Sequence, residues 1–586
     1  MDKLPELSAL VPAHMRPGAD LLAEGRALAR DWPLGRSAFM AATGFGSEVA
    51  YKAQVRGRVM QHAHIGFRSL DRTLEAIRQV HGTCGAQGVT VDRFGITLDW
   101  SMGYPLAQRA KAARATGIVL SGPEDFAHIT GAVAVPMHFG DFMLGLPGAL
   151  DNAKAAIAAG ATSLGNLGQY FTFQMPGWSD DVATTEATVT ALGLIAAQGG
   201  AVLVHSNLDD GFAGLFADMC CSLGTVLVEK HVVEGLIGAP LAHCYGHHFS
   251  DPMSRMAFQA ALAQVSDTPG TMIFGNTVSY QSTEAGNYAS LASYLLPDMM
   301  ALGRWPTGHA VNPVPVTENQ RIPDVDEIIA AQTFAHRLGQ HAPLHAALVN
   351  WPLVEDMAAR MVAGGRRFAA AVLAGLGEAG VDMADPAQIL LAIRRIGPRR
   401  LEAAFGPGLL AGDRRNPEIL AEWAQELDHK AEGWVALRAA SSPIRAAGLR
   451  VCIGTSDVHE HGKYLVERAL TGLGVTVLDG GVSVDPEVLV ERALAQGADA
   501  LAVSTYNGVA RRYAAAVMQA LAARGVSLPL LVGGKLNEVP AESNTGLPVD
   551  VSAEIAAMGA VPCADLDGML ATLEALAAVS GRRSPT

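Results

Sequence analysis

A strand, a polar loop and a helix follow one another near the C-terminus and constrain the fold more than any other stretch. The apolar run Val451-Cys452-Ile453 leads into Asp457-x-His459-x-x-Gly462, and a helical pattern of apolar residues follows from Tyr464. In an open parallel sheet this order places the loop at the carboxyl edge, where such sheets bind ligands. Asp457 can accept a hydrogen bond from one ring nitrogen of His459, which leaves the other nitrogen to bind a metal. Gly462 lets the backbone come close to a bulky ligand.

Two further strand ends are expected at the same edge. The run Ala500–Val503 ends in Ser504-Thr505-Tyr506, and the run Leu528–Val532 ends in Gly533-Gly534. All three ends then lie along one edge of one sheet. We therefore predict a single ligand site that is shared by the three strand ends.

Taken in order, these three motifs resemble the B12-binding module of the cobalamin-dependent mutases. The resemblance implies that His459 replaces the cofactor's own dimethylbenzimidazole as the lower cobalt ligand. It also implies that the displaced nucleotide tail threads into the sheet past Ser504 and the paired glycines. The cobalamin-binding residues that it implies, with His459 as the metal ligand, are Asp457, His459, Gly462, Ser504, Thr505, Tyr506, Gly533 and Gly534.

The composition narrows the possible partners and the compartment. With 49% apolar and 17% charged residues the chain can build large cores, and its net charge of −14 argues against non-specific binding to nucleic acid or anionic membranes. The six cysteines show neither a zinc-knuckle nor a radical-SAM spacing. The chain opens with no signal peptide and contains no run of eighteen apolar residues. We expect a soluble cytoplasmic protein, and a homodimer.

The 586 residues indicate several domains. Residues 1–55 are expected to form an N-terminal extension that packs on the next domain, and 56–340 alternate β-branched runs with alanine-rich helical stretches. So many units favour a (β/α)8 TIM-type barrel over an open sheet. Residues 341–446 are expected to form a helical segment with a linker at Ala440–Pro443. Residues 447–586 are expected to form a flavodoxin-like (Rossmann-type) cobalamin-binding domain, with a disordered tail from Gly581.

Polar residues follow the predicted barrel strands and are expected to converge on one face. The candidate strands are Ala132–Pro136, Ala201–Val204, Pro240–Ala242, Met272–Phe274 and Ala310–Val311. Active sites of such barrels form where the carboxyl ends of the strands meet. The sequences at those ends are His138-Phe139-Gly140-Asp141, Gly168-Gln169-Tyr170, His205-Ser206-Asn207, His243-Cys244-Tyr245-Gly246-His247-His248, Gly275-Asn276-Thr277 and Asn312-Pro313. Our candidates for catalysis are His64, His138, Gln169 and Tyr170.

The barrel region resembles the catalytic chain of glutamate mutase (methylaspartate mutase), an adenosylcobalamin enzyme. The best local points are Gly168–Pro176, Cys244-Tyr245-Gly246 and Asn312–Pro323. The resemblance implies an adenosylcobalamin-dependent radical mutase, a carbon-skeleton isomerase, with the barrel and the cobalamin module fused in one chain. It also implies that Glu318 holds the adenosyl ribose.

The substrate-binding positions of that family are not kept. When the sequences are aligned, the three substrate-binding arginines of that family fall on or near His64, Gly103 and Met137. The glutamate that binds the substrate amine falls near Leu167, and its partner tyrosine falls near Gly177. Such residues cannot replace arginine forks and carboxylates around a charged ligand. We therefore expect a small polar substrate other than glutamate, one that is less anionic or is held by imidazoles. The candidate imidazoles are those of His62, His64, His138, His205, His243 and His247.

Two alternatives remain open. The helical pattern of 341–446 fits a methylcobalamin-dependent methyltransferase, whose B12 module follows a helical cap. A non-catalytic B12 sensor is the other, although it would need an output such as a basic DNA-binding helix pair, which the net charge disfavours.

Overall fold

The structure is a computed structural model, and it describes residues 4–112, 115–246, 249, 251–280, 283–411, 414–446, 448–457, 459–506, 508–539 and 547–580. It divides into two compact units. Unit 1 comprises Met1–Phe171 and Asp180–Glu422, and unit 2 comprises Thr172–Ser179 and Trp423–Thr586. No helix in the described part of the chain is both long and apolar enough to cross a membrane. His247 and the tail from Gly581 lie outside the described residues.

Unit 1 is built on a closed barrel of parallel strands, in which each strand pairs with the next along the chain and the last pairs with the first. The barrel strands are β1 Met60–Ile65, β2 Arg93–Ile96, β3 Met137–Phe139, β4 Ser163–Leu164, β5 Leu203–Asn207, β6 Leu241–Tyr245, β7 Met272–Ile273 and β8 Ala310–Val311. The predicted TIM-type barrel is confirmed.

Helices surround the barrel and extend beyond it. They are α1 Leu7–Leu10, α2 Gly18–Leu28, α3 Ala38–Thr43, α4 Glu48–Gln54, α5 Leu70–Ala86, α6 Leu106–Arg109, α7 Pro123–Thr130, α8 Ala149–Ala158, α9 Gln169–Thr172, α10 Asp181–Ala196, α11 Met219–Lys230, α12 Pro252–Val265, α13 Glu284–Arg304, α14 Val325–Ala346, α15 Trp351–Glu378, α16 Pro386–Ile396 and α17 Pro398–Phe405. A π-helical turn, His231–Ile237, continues α11, and the hairpin of β9 Leu410–Ala411 and β10 Arg414–Arg415 follows α17.

Several barrel strands lie further along the chain than the sequence pattern predicts. Ala132–Pro136 precedes β3 instead of forming it, and β5 and β6 extend through His205 and His243. Because the apolar runs end just before His205 and His243, we expected these two histidines to lie in the loops that follow the strands. A barrel strand can carry polar side chains on its inner face at every second position, so the imidazoles are part of the strands.

Unit 2 contains a five-stranded parallel sheet. Its strands are β11 Arg450–Thr455, β12 Thr476–Gly481, β13 Ala500–Thr505, β14 Leu530–Gly534 and β17 Val561–Cys563. They lie in the order β12-β11-β13-β14-β17, which is the 2-1-3-4-5 order of flavodoxin-like folds and confirms the predicted class. A small hairpin, β15 Asn537–Glu538 and β16 Val549–Asp550, lies beyond β14.

Helices cover both faces of this sheet. They are α18 Glu422–Arg438, α19 His461–Gly472, α20 Pro486–Ala495, α21 Ala510–Ala523, α22 Ser552–Ala557 and α23 Leu566–Ser580. Residues of α20, α21 and α22 pack on one face, and residues of α18, α19 and α23 on the other. Alternate residues of each strand supply the two cores: Cys452 belongs to the first, and Val451 and Ile453 belong to the second.

The region predicted as a separate helical segment, 341–446, is shared between the units. Helices α15 to α17 belong to unit 1, whereas all but the first residue of α18 belongs to unit 2. At the other end of unit 1, α4 places Glu48 and Lys52 among the fully buried side chains near β2. The N-terminal region and the helical segment thus take part in the two cores.

Candidate functional site

His459 follows β11 at the carboxyl edge of the unit 2 sheet, and Asp457 fixes its orientation. The imidazole Nδ1 lies 2.7 Å from Asp457 Oδ1, and the His459 backbone N–H donates to the same oxygen at 3.0 Å. Because an ionised carboxylate only accepts, this contact places a proton on Nδ1 and leaves Nε2 with a free lone pair. The ring is 33% exposed. Nε2 is therefore able to bind a metal centre.

Asp457 is itself held as an anion. Burial alone would raise the pKa of its carboxyl, but hydrogen bonds from His459 and Tyr506 lower that pKa below its ordinary value. The Tyr506 backbone N–H donates to Oδ2 at 2.9 Å, and the Ser456 hydroxyl donates to the same oxygen at 3.0 Å. The carboxylate thus joins the loop after β11 to the loop after β13.

The Tyr506 ring lies against the imidazole. The two centroids are 4.2 Å apart with an interplanar angle of 29°, and Lys535 Nζ lies 3.9 Å from the centroid of the tyrosine ring. The three side chains therefore form a stack in which the His459 ring has little freedom to rotate. A fixed ring orientation is what a metal ligand requires.

Gly462 and Gly534 allow close approach where a side chain would not fit. A Cβ on Gly462 would lie 2.4 Å from Ser504 Oγ, so a larger residue would fit here only if the Ser504 hydroxyl moved. Gly534 has φ = 94°, and a Cβ there would lie 2.2 Å from the Thr505 carbonyl oxygen. Gly533 has no comparably close neighbour. Its ideal Cβ would lie 3.5 Å from the nearest atom, the Cys563 carbonyl oxygen.

A cavity of about 440 Å³ opens beside these residues, within unit 2. Its walls come from β11, β13, β14 and β17 of the sheet and from α18, α19 and α23, and they are mainly apolar. The lining residues are Lys430, Trp434, Ile453, Gly462, Leu465, Val466, Ala502, Val503, Ser504, Leu531, Gly533, Gly534, Cys563, Ala564, Asp565, Leu566, Asp567 and Met569. The predicted Gly462, Ser504, Gly533 and Gly534 are thus brought together around one space. Asp457, His459, Thr505 and Tyr506 belong to the same sheet edge but do not line it.

The interior of the unit 1 barrel holds a cluster of imidazoles. The rings of His62 and His138 are 6.5 Å apart, and those of His138 and His205 are 5.1 Å apart. These residues come from β1, β3 and β5, alternate strands whose inward side chains form one layer in such barrels. The His64 ring lies 4.9 Å from that of His62. A Cβ on Gly95 would lie 2.6 Å from Nε2 of both His62 and His64, so this glycine provides the space for them.

The imidazoles of His62, His64, His138 and His205 are neutral at ordinary pH. Burial lowers the pKa of His62, His138 and His205 well below the usual value, and the positive charge of Arg93 adds to the effect. Burial also lowers the pKa of His64, to about 4. Among the described residues, no group of three or more His, Cys, Asp or Glu side chains is arranged to hold a metal ion. The cluster is therefore a set of neutral hydrogen-bonding groups.

Arg93 organises the floor of this interior. Its Nε pairs with Glu48 at 2.9 Å, and Glu48 pairs with Lys52 at 2.6 Å. Burial lowers the pKa of the Lys52 amine to about 7. The sequence analysis did not identify these groups. A buried charge in a helix preceding the first barrel strand gives no pattern that distinguishes it from a surface residue.

A hydrogen-bonded chain leads from Arg93 to His138. The guanidinium donates to Ser163 Oγ at 2.5 Å, and Ser163 Oγ lies 3.1 Å from His138 Nδ1. Since the serine accepts from Arg93, its own proton is available for Nδ1, which favours the tautomer with the ring proton on Nε2. A Cβ on Gly140 would lie 3.1 Å from that Nε2. Because Gly140 has no side chain, there is room beside His138 Nε2 for a ligand atom that accepts its hydrogen bond.

Carboxyls and amides lie at the carboxyl ends of β3, β4 and β5. Asp210 Oδ2 accepts from the side-chain amides of Asn166 at 2.7 Å and Asn207 at 2.9 Å. Burial, together with the nearby Asp141 carboxyl, raises the pKa of Asp210 to about 8. Its surroundings therefore favour the protonated form of Asp210. Sequence reasoning missed Asp210, although it follows the strand end that was identified at Asn207.

The other catalytic candidates are engaged in local contacts. Gln169 Oε1 accepts from the Phe142 backbone N–H at 2.9 Å and so holds the loop after β3. Tyr170 is fully buried, its hydroxyl lies 2.7 Å from Thr185 Oγ1, and burial raises the pKa of its phenol. Glu318 is exposed, in the turn after β8. The catalytic roles of Gln169 and Tyr170 and the ribose-binding role of Glu318 remain predictions.

No protein-family model matches the chain, and no curated protein matches it. Among solved structures, a novel cobalamin-binding protein from Desulfitobacterium hafniense DCB-2 is similar at 18% identity over 26% of this chain and 70% of that chain, with a TM-score of 0.20. Phosphonopyruvate hydrolase in complex with oxalate and Mg²⁺ is similar at 16% identity over 55% of this chain and 98% of that chain, with a TM-score of 0.26.

Proposed function

We propose that unit 2 binds cobalamin, with His459 as the lower cobalt ligand and the nucleotide tail in the adjacent cavity. The observation that carries the proposal is the combination of a carboxylate-oriented imidazole with an open Nε2 and an apolar cavity bordered by Gly462, Ser504 and Gly534. A corrin supplies four nitrogen ligands of its own, so one imidazole is the only protein ligand that cobalt requires below the ring.

The residues present fit this group. A side chain at position 534 would collide with the backbone of Thr505, and one at 462 would displace the Ser504 hydroxyl, so glycine at these positions keeps the walls of the cavity as they are. The buried Thr505 hydroxyl has no hydrogen-bond partner among the described residues. Asp457 would stabilise the imidazole as a ligand, because an acceptor at Nδ1 increases the basicity of Nε2.

For the whole chain we propose an adenosylcobalamin-dependent mutase whose small polar substrate binds in the unit 1 barrel and is not glutamate. When bound, adenosylcobalamin supplies homolytic cleavage of its cobalt–carbon bond. The barrel's part is to bind and orient the substrate. His138 would donate from Nε2, and His64 would offer a neutral imidazole. The protonated Asp210 would donate or accept without adding a negative charge.

The neutral state of these groups supports a substrate that is not a dicarboxylate. Each charge-assisted contact to a carboxylate is worth about 1.5–3 kcal/mol, and neutral imidazoles do not provide it. Of the three arginine positions of the glutamate mutase family, His64 and Met137 lie in barrel strands and Gly103 in a short 3-10 helix, Trp100–Gly103. We expect no useful conversion of glutamate to 3-methylaspartate.

The test is an anaerobic incubation of the protein with adenosylcobalamin and either glutamate or mixtures of small hydroxy, amino and amide compounds. The readouts are product formation and the EPR signal of cob(II)alamin. The proposal predicts a substrate-dependent signal with a neutral compound and none with glutamate. Efficient methylaspartate formation would contradict the substrate assignment. Methyl transfer from methylcobalamin, without turnover of adenosylcobalamin, would favour the methyltransferase instead.

A further inference from the structure

Helix α18 precedes the five-stranded sheet and is not part of its strand–helix alternation, yet it forms part of the cavity wall. Lys430 and Trp434 of this helix line the same space as Ser504 and Gly533. These two side chains form a wall that faces the sheet. This wall lies outside helices α19 and α23. Without α18 the cavity would therefore be open on that side.

Both neighbouring helices hold α18 in place. On the α19 side, Asp428 accepts from the Tyr464 hydroxyl at 2.9 Å and from Arg468 Nε at 2.6 Å. The Trp423 ring stacks on His461, with the centroids 4.6 Å apart. These contacts fix the first half of α18 next to the helix that begins just after His459.

On the α23 side, Asp567 is the anchor. It accepts from the Trp434 indole N–H at 2.9 Å and from Arg438 at 2.6 Å. The Trp434 ring is thus held by its polar edge, and its remaining surface is available to the cavity. The anchors on both sides make α18 a fixed wall.

The charged side chains that line this cavity are Lys430, Asp565 and Asp567. Asp567 is neutralised by Arg438, and Asp565 accepts from the Gly568 backbone N–H at 2.8 Å near the start of α23. Lys430 is the only cationic residue among the described residues that line the cavity. The nucleotide tail of cobalamin carries one phosphodiester, an anion that a lysine amine would pair with.

We infer that α18 is part of the cofactor site: Trp434 closes the nucleotide-tail cavity, and Lys430 pairs with the phosphodiester of the tail. This inference rests on the proposed cobalamin binding. It assigns recognition of the tail to a helix that precedes the first strand of the sheet. It also separates tail recognition from the cobalt contact, which belongs to His459.

The experiment compares aquocobalamin with cobinamide, which has the same corrin and cobalt but lacks the nucleotide tail. Binding of both to the full chain is measured by titration calorimetry and by the absorbance change of the corrin. Lys430→Gln should weaken cobalamin binding by up to about fivefold, the upper end of the range for a single exposed ion pair, and leave cobinamide binding unchanged. Trp434→Ala should weaken cobalamin selectively by a larger factor, and Trp434→Phe, which keeps an aromatic wall, should bind more tightly than Trp434→Ala.

Arg524→Gln, on the opposite side of the sheet, is the charge-matched control and should change neither affinity. Equal losses for cobalamin and cobinamide in Lys430→Gln would overturn the inference, as would unchanged cobalamin affinity in both Lys430→Gln and Trp434→Ala. A parent chain that binds neither corrinoid would instead refute the proposed function, and this inference with it.

Discussion

The free energy of unfolding should depend on pH through individual barrel histidines, because their imidazoles take up a proton more readily in the unfolded chain than in the folded barrel. His64 is the clearest case, because its pKa is lowered from 6.5 to about 4 in the folded barrel. Between these values the unfolded chain binds a proton that the folded chain does not. The stabilisation from a neutral His64 is therefore fully present above pH 6.5 and is lost as the pH falls toward 4.

The size of the effect follows from the shift. One pKa unit corresponds to about 1.36 kcal/mol, and pH 5 lies 1.5 units below the unfolded pKa, so His64 costs the fold about 2 kcal/mol at pH 5. Asp210, whose pKa is raised to about 8, acts in the opposite direction over the same range. A bulk pH titration therefore mixes opposing contributions, and a single-site comparison is needed to separate them.

The comparison uses His64→Gln and the parent chain, each unfolded with urea at pH 7 and pH 5. The free energy of unfolding of unit 1 is followed by hydrogen exchange in peptides from residues 60–311. Relative to the parent, His64→Gln should gain about 2 kcal/mol on going from pH 7 to pH 5. His345→Gln, at an exposed position of α14, serves as the control. A difference between His64→Gln and parent that does not change with pH would refute the account of a neutral, desolvated imidazole.

Three further predictions concern the sites. Gly462→Ala should lower the free energy of unfolding of unit 2 by about 1–3 kcal/mol in urea, because the new methyl group meets Ser504 Oγ. The second substitution Ser504→Ala should restore most of that stability. If the losses of the two single variants simply add in the double variant, the clash is contradicted. Asp457→Asn removes the negative charge and replaces one acceptor oxygen by an NH2 group, so the side chain can no longer accept both the His459 hydrogen bonds at Oδ1 and the Tyr506 and Ser456 hydrogen bonds at Oδ2. It should weaken cobalamin binding about 10–100-fold. Unchanged affinity by titration would show that the carboxylate does not orient His459. If Glu318 holds the adenosyl ribose, the parent chain should bind adenosylcobalamin more tightly than methylcobalamin, by about 1.5–3 kcal/mol. Glu318→Ala should remove most of this difference. Equal affinities of the parent chain for the two cobalamins would argue for the methyltransferase.

Local patterns at strand ends carried most of the information that the sequence provided. The run from Val451 to Gly462 contains strand, loop and helix in one stretch, so the fold class of unit 2 and the neighbourhood of His459 could be predicted from it. The alternation of apolar runs and helical patterns likewise predicted the barrel. Strand positions were less predictable, because imidazoles such as His138 and His205 are polar in sequence but lie inside the barrel.

Long-range contacts could not be read from the sequence. Glu48 pairs with Lys52 in the same helix and with Arg93 in the second barrel strand. The burial of these groups becomes apparent only once the barrel closes. Trp434 lies in the region that was predicted as a helical segment, and nothing in its local pattern indicates that it lines a cavity formed by later strands. Pairing of this kind depends on the fold as a whole, whereas the strand-end motifs depend on a few neighbouring residues.

The central claim is that His459 coordinates cobalt from below, and the EPR spectrum of bound cob(II)alamin tests it most directly. The protein is prepared with natural and with ¹⁵N-labelled histidine, and the nitrogen superhyperfine splitting of the cobalt lines is recorded. The account predicts that the triplet splitting of ¹⁴N becomes a doublet when histidine carries ¹⁵N, and that His459→Ala loses the protein-derived coupling. A splitting that does not respond to the label would show that dimethylbenzimidazole stays on the cobalt and would contradict the account.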